Sequence, residues 1–186
     1  MRALALILLA LSSLTACGSK VVVNSQTLVT RLEPEVRLAV YAPHDEQTAN
    51  IYLTDLSRDE IDGDIPIQDA TGVLIHIHLF LNPQPGRTPL DHSAVSATVR
   101  LFVLAAGEVG VYGGGGFIRP RGRPGDYSIA AELDHATLAP TDATPLFADL
   151  LGPSVMKARF TALRDPPRAT RIADIMAEIL RRARDE

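Results

Sequence analysis

Two histidines set two residues apart, His76 and His78, are the side chains of this sequence best spaced to do chemistry together. They fall within Val73 to Leu81, where Val73, Ile75, Ile77, Leu79 and Leu81 alternate with Leu74, His76, His78 and Phe80. A β-strand repeats every second residue, so both imidazoles face one way and could converge on one ion, as zinc and copper sites require. A third ligand would have to come from Asp91, His92, Asp134 or His135, and nothing in the sequence brings any of them to the pair. A catalytic zinc takes three protein ligands and an open position, so the pair alone is a weak metal site. The competing reading is two partly buried, neutral histidines hydrogen-bonded within the sheet.

Other chemistry finds less footing. Cys17 is the only cysteine, and no Gly-x-Ser-x-Gly nucleophile elbow occurs. Asp59, Glu60, Asp62, Asp64 and Asp69 crowd one polar stretch, where carboxylates are ordinarily solvated. A glycosidase needs two of them at a set separation across a cleft, which spacing along a chain does not supply. Gly113 to Gly116 invites a phosphate-cradle reading, but a cradle opens a helix, and Phe117-Ile118-Arg119-Pro120 begins none. The glycines read instead as a bulge or a close backbone approach inside a sheet. Arg119, Arg121 and Arg123 share a turn-rich loop with Pro120, Gly122, Pro124 and Gly125. They could touch lipid phosphate or an acidic partner. With no aromatic residue interleaved to insert or stack, the loop reads as a solvated hairpin tip that discourages edge pairing.

The elements that must position these residues are mostly strands. Apolar residues on both faces of Val73 to Leu81 predict a central strand covered on both sides. Ser96 to Leu104 and Glu108 to Tyr112 predict a hairpin across Ala105-Ala106-Gly107. Asp126 to Leu138 is a long strand signal with Tyr127, Ile129, Ala131, Leu133 and His135 on one face, and Val155 to Leu163 predicts a last strand. Thr27 to Leu32, Val36 to Tyr41 and Asn50 to Thr54 are shorter signals, while Ser19 to Gln26 reads as a tether or a first strand. Ser57-Arg58-Asp59-Glu60 has capping-box spacing, and Thr144-Pro145 predicts a short helix over Leu146 to Leu151. Asp165-Pro166 starts the clearest helix, with Ile172, Ile175, Met176, Ile179, Leu180 and Ala183 on one stripe and Arg181, Arg182 and Arg184 in its last turns. The expected fold is mainly β with helices (α+β), an antiparallel sheet or sandwich of about six to eight strands capped by that amphipathic helix.

The N-terminus carries a different kind of signal. Arg2 precedes an apolar run, Ala3 to Leu11, too short to span a bilayer, and Ser12 and Ser13 lead into Leu14-Thr15-Ala16-Cys17. This arrangement resembles the lipobox signal peptide of bacterial lipoproteins. The resemblance implies that residues 1–16 are cleaved and that Cys17 carries acyl chains such as palmitate, with residues 17–26 a lipidated tether and 27–186 a single β-rich periplasmic domain. An unpaired cysteine on an exported protein otherwise lacks an explanation. Each buried methylene adds about 0.8 kcal/mol, so two or three chains hold a protein to the bilayer for good. Gly18 stands where an Asp commonly retains Gram-negative lipoproteins at the inner membrane, which favours the outer membrane, facing the periplasm; in another host the site is the outer face of the cell membrane.

A formal charge of -4, with 18 basic and 22 acidic residues, offers no basic face for nucleic acid. A hydrophobic content of 46% is too high for a disordered chain. The expected partners are therefore the lipid bilayer, through Cys17, and another envelope component. The expected role is a non-catalytic envelope structural or assembly module with no cofactor beyond the covalent lipid. A periplasmic zinc- or copper-binding lipoprotein using His76 and His78 is the alternative, and an envelope-polymer hydrolase the second alternative.

Overall fold

The computed structural model describes residues 18–63, 67, 70–80 and 96–185. The leader with Cys17, and also Asp64, Asp69, Leu81, Asp91 and His92, lie outside the described residues. The alternating runs form nine strands: β1 (Lys20–Ser25), β2 (Arg31–Leu32), β3 (Leu38–Pro43), β4 (Thr48–Thr54), β5 (Gly72–Phe80), β6 (Ala97–Ala105), β7 (Glu108–Arg121), β8 (Ser128–Ala143) and β9 (Ser154–Arg164). Helix α1 (Arg58–Asp62) separates β4 from β5, and α2 (Pro166–Asp185) follows β9.

From β3 to β9 each strand pairs antiparallel with the next, and β9 returns to β3, closing a seven-stranded barrel. An odd number of strands cannot alternate direction around a closed ring, so one neighbouring pair must run parallel. That pair is β3–β9, joined only at Val40–Leu163 and Tyr41–Arg164. Beyond this short seam β9 pairs with β1, from Lys20 opposite Arg159 to Ser25 opposite Ser154, and β2 adds to β1. The antiparallel sheet and its terminal helix are as expected. The strand count is nine, and the sheet closes on itself.

Alternation then assigns two cores. The inward set fills the barrel, with Ile51 and Leu53 of β4, Val73, Ile75, Ile77 and Leu79 of β5, Tyr112 of β7, Leu133 of β8 and Phe160 of β9 all buried. The outward set at one end, including Val40, Leu74, Phe102 and Val111, is covered by α2 through Ala169, Ile172, Ile175, Met176 and Ile179. Each such aliphatic side chain contributes about 1.5–3 kcal/mol on burial, which is why a helix of modest intrinsic stability stays docked. Asp165 caps α2 by accepting the Arg168 N–H at 3.1 Å, and Pro166 occupies the first turn where no N–H is needed. The capping box at Ser57 and Glu60 is formed, and Gly63 at φ 98° ends α1.

Four local expectations are corrected. First, the glycines do not end β7, which runs through Gly113 to Gly116 paired with β6 on one side and β8 on the other. A Cβ on Gly114 would lie 1.8 Å from the Thr137 carbonyl oxygen, so the two backbones approach more closely than any side chain permits. Second, a bulge in β8 sets Asp134 and His135 against Phe117 alone on β7, and against Lys157 alone on β9. The extra residue breaks the alternation, so Ala136 points inward and His135 is exposed.

Third, Leu146 to Leu151 is not helical. Thr144 is buried and tied to β7, its N–H donating to Val109 O at 2.9 Å and its Oγ1 accepting from Val109 N–H at 2.9 Å. Asp149 Oδ1 accepts from the N–H groups of Leu151 and Gly152, a turn that competes with helix. Fourth, Ser19 to Gln26 is largely the strand β1, so the sheet begins at Lys20, inside the stretch assigned to the tether. Of Thr27 to Leu32 only Arg31 and Leu32 are strand.

Candidate functional site

The outward face of β5 divides in two. Leu74 lies under α2, while His76, His78 and Phe80 continue past it along the strand. The register with β4 sets Tyr52 opposite His76 and Asn50 opposite His78, and the register with β6 sets Arg100 opposite His76. His76 stacks on Tyr52 with ring centroids 4.9 Å apart and planes 13° from parallel. The two imidazole centroids are 6.5 Å apart, and His78 lies 6.2 Å from the Phe80 ring. A shallow groove of about 400 Å³ runs beside them, floored by Gly113 and Gly114 and flanked by Thr98 and Arg100.

One atom organises the pair. Asn50 Oδ1 lies 2.9 Å from His76 Nε2 and 2.9 Å from His78 Nδ1. A carbonyl oxygen has two lone pairs and accepts both N–H groups, which fixes the Nε2–H tautomer of His76 and the Nδ1–H tautomer of His78. Burial pushes His76 down to about 4, and the neighbouring His78 and Arg100 push in the same direction. His76 is therefore neutral at neutral pH. The two nitrogens that converge are both spent on one amide oxygen, an arrangement that makes hydrogen bonds and fixes ring orientation. An ion held between them would have to displace or recruit Asn50.

The other proposed ligands are not brought to this place. Asp134 and His135 sit on the β8 bulge, three strands from β5, which at sheet spacing is about 14 Å. Asp134 instead pairs with Arg119 at 2.5 Å. No cluster of three or more histidine, cysteine or acidic side chains occurs among the described residues, and Asp91 and His92 fall outside them.

The basic loop also separates into different roles. Arg119 is tied to Asp134 and Glu132, and Arg159 also holds Glu132 at 2.8 Å. Arg121 and Arg123 are exposed at the β7–β8 turn, where Arg123 N–H donates to Asp126 Oδ2 at 2.7 Å. Tyr127, on the return of the same turn, is 79% exposed. The sequence reading missed it as a companion to the arginines because it assigned Tyr127 to an inward strand face. It missed Asn50 as well, since only the β4–β5 register puts that residue beside the histidines.

Two loops at the opposite end of the barrel expose large apolar side chains. Leu28 and Val29 lie between β1 and β2, and Leu146 and Leu150 lie between β8 and β9. The loops adjoin, with Gln26 N–H donating to Pro153 O at 2.8 Å. Close by, the buried Tyr112 hydroxyl donates to Asp149 at 2.5 Å, and burial followed by that carboxylate raises the tyrosine. Burial alone would raise Asp149, but the hydroxyl and the Gly152 and Leu151 N–H groups outweigh it and hold the carboxyl low.

The fold and these sites define a small, closed antiparallel barrel with a helix docked on its outer wall, and no described helix is long and apolar enough to cross a membrane. The chain matches no protein-family model, and no curated protein or solved structure is similar to it.

Proposed function

We propose that the protein is a lipid-anchored bacterial envelope module, without catalytic activity, that docks another envelope protein on the apolar end of its barrel. The anchor side is supported by the resemblance of Leu14-Thr15-Ala16-Cys17 to a lipobox and by a sheet that begins at Lys20, three residues after Cys17. Such spacing holds the barrel close to the bilayer. The outer membrane, periplasmic side, is the location that Gly18 favours in a Gram-negative host.

The observation that carries the docking role is the exposed cluster of Leu28, Val29, Leu146 and Leu150. Leu146 is 81% and Leu150 64% exposed, on loops held together by a backbone hydrogen bond. Large apolar side chains gathered on the surface mark places where another surface binds. About 17 Å of strand separates this end from Lys20, where the chain arrives from its anchor, so the cluster faces away from the bilayer. A leucine buried at such an interface contributes about 1.5–3 kcal/mol, or about 10- to 100-fold in affinity.

A photo-crosslinking residue at Leu146 in the intact envelope tests this, with Thr137 on the barrel wall as control. The expected result is one discrete adduct from position 146, lost when Val29→Glu is added, with the far-ultraviolet circular dichroism of the barrel unchanged. Equal adducts from both positions, or none from 146, would refute the docking role.

A further inference from the structure

We infer that the barrel end that receives the N-terminus is itself a lipid-binding face, its groove of arginines taking the headgroup phosphates of the bilayer while Tyr127 and Leu163 enter the interface. The inference rests on the lipid-anchor reading above and adds to it an orientation and a specific contact surface. Its basis is a groove of about 470 Å³ that Ser19 lines together with Arg37, Arg58, Arg164, Tyr127 and Leu163. Cys17 precedes Ser19 by two residues, so the chain alone keeps the two within about 7 Å. Whatever bilayer the cysteine enters is thus brought to this groove.

The chemistry of the groove suits phosphate. Four arginines line it (Arg168 is the fourth), against one carboxylate, Asp165. That carboxylate is already committed, accepting the Arg168 backbone N–H and pairing with Arg168 Nη1 at 2.9 Å. Arg37 and Arg58 are exposed, and Arg164 holds the hairpin by donating to Gly125 O at 3.1 Å. Guanidinium groups bind phosphate oxygens in pairs of parallel hydrogen bonds, which makes arginine suited to headgroup recognition.

The rim supplies the apolar half of an interfacial site. Tyr127 is 79% and Leu163 46% exposed, and Ser128 pairs with Leu163, so the two project from neighbouring strands. Arg121 and Arg123 flank them on the same hairpin. A tyrosine with basic neighbours, placed beside an acyl anchor, is the composition of a surface that sits at headgroup level. The missing aromatic that made Arg119, Arg121 and Arg123 read as a solvated tip is therefore present, four residues beyond Arg123.

The chain has no tryptophan, so single substitutions give clean fluorescent probes. Full-length protein extracted in detergent is reconstituted into anionic phospholipid vesicles with brominated acyl chains, carrying either Tyr127→Trp or Leu146→Trp. The expected result is flotation of both, with a blue-shifted, several-fold more strongly quenched tryptophan at 127 than at 146. Adding Arg37→Ala/Arg58→Ala, or raising salt to screen the headgroups, reduces the quenching at 127. Equal quenching at the two positions in a floating protein overturns the inference and leaves the anchor standing. Quenching at 127 that ignores both the arginine variant and salt overturns the phosphate groove. A protein that does not float and carries a free Cys17 thiol overturns the anchor reading, and this inference with it.

Discussion

Acidification should destabilise the barrel through His76, and replacing His76 with glutamine should remove that effect. The imidazole is stacked on Tyr52, donates to Asn50 and is held neutral, with its folded-state value pushed from 6.5 to about 4 by burial and then by His78 and Arg100. Between pH 6.5 and 4 the unfolded chain takes up a proton at this residue that the folded chain refuses, so stability falls as pH falls through that window. Above pH 6.5 both states are neutral and the contribution is constant. At 1.36 kcal/mol per unit, the displacement corresponds to a loss of about 3 kcal/mol by pH 4, and to about 2 kcal/mol with modest relaxation around the ring. The assay is urea unfolding of wild type and His76→Gln at several pH values from 7.5 to 4. Carboxylates such as Glu132 and Asp149 titrate in both proteins and cancel in the difference. At neutral pH the variant should be the less stable, having lost the stack. The gap should then close by about 2 to 3 kcal/mol on acidification. A gap independent of pH, or a wild type that gains on the variant as pH falls, would refute the reasoning, because the latter requires an imidazolium stabilised in the fold.

Three further outcomes follow from the same structure. Gly114→Ala should cost about 3 kcal/mol in urea unfolding, since its Cβ meets the Thr137 backbone at 1.8 Å. Gly113→Ala, which meets only the Thr141 methyl at 3.1 Å, should cost well under half of that; equal costs would show that the close approach is not what excludes a side chain. Tyr112→Phe should cost about 1 kcal/mol in the same assay by removing the hydroxyl that donates to Asp149, and no change would mean that the bond contributes nothing net. Metal analysis after dialysis should find less than stoichiometric zinc and copper, unchanged in His76→Ala/His78→Ala. One tightly held ion per chain, lost in that variant, would contradict the hydrogen-bonded reading of the pair.

Much of the barrel was legible because its strands are regular. Period-two alternation marks β5, β6 and β9 within a residue or two, and the apolar stripe with Asp165-Pro166 marks α2. What alternation cannot report is which strands meet. Closure depends on a two-residue parallel contact between β3 and β9, too short to leave a pattern. The four glycines look like a break when read along the chain and prove continuous once β8 is laid beside them, because their lack of side chains is what lets the backbones meet. The bulge at Asp134 and His135 shifts the phase of β8, so an inward reading of His135 fails one residue before Ala136 restores the pattern. Thr144 has the residue type of a helix cap, but burial against Val109 commits its polar atoms elsewhere. Of the candidate site, His76 and His78 were visible as a pair and Asn50 was not. Their meeting is a matter of register between strands more than 20 residues apart in sequence.

The account depends most on the state of Cys17. Intact-mass spectrometry of the protein extracted from native envelopes tests it directly. The prediction is a chain that begins at Cys17 and is heavier than residues 17–186 by a diacylglyceryl group, with or without a third acyl chain. A mass matching residues 1–186 with an unmodified leader, or a free Cys17 thiol on protein released into buffer, would contradict it.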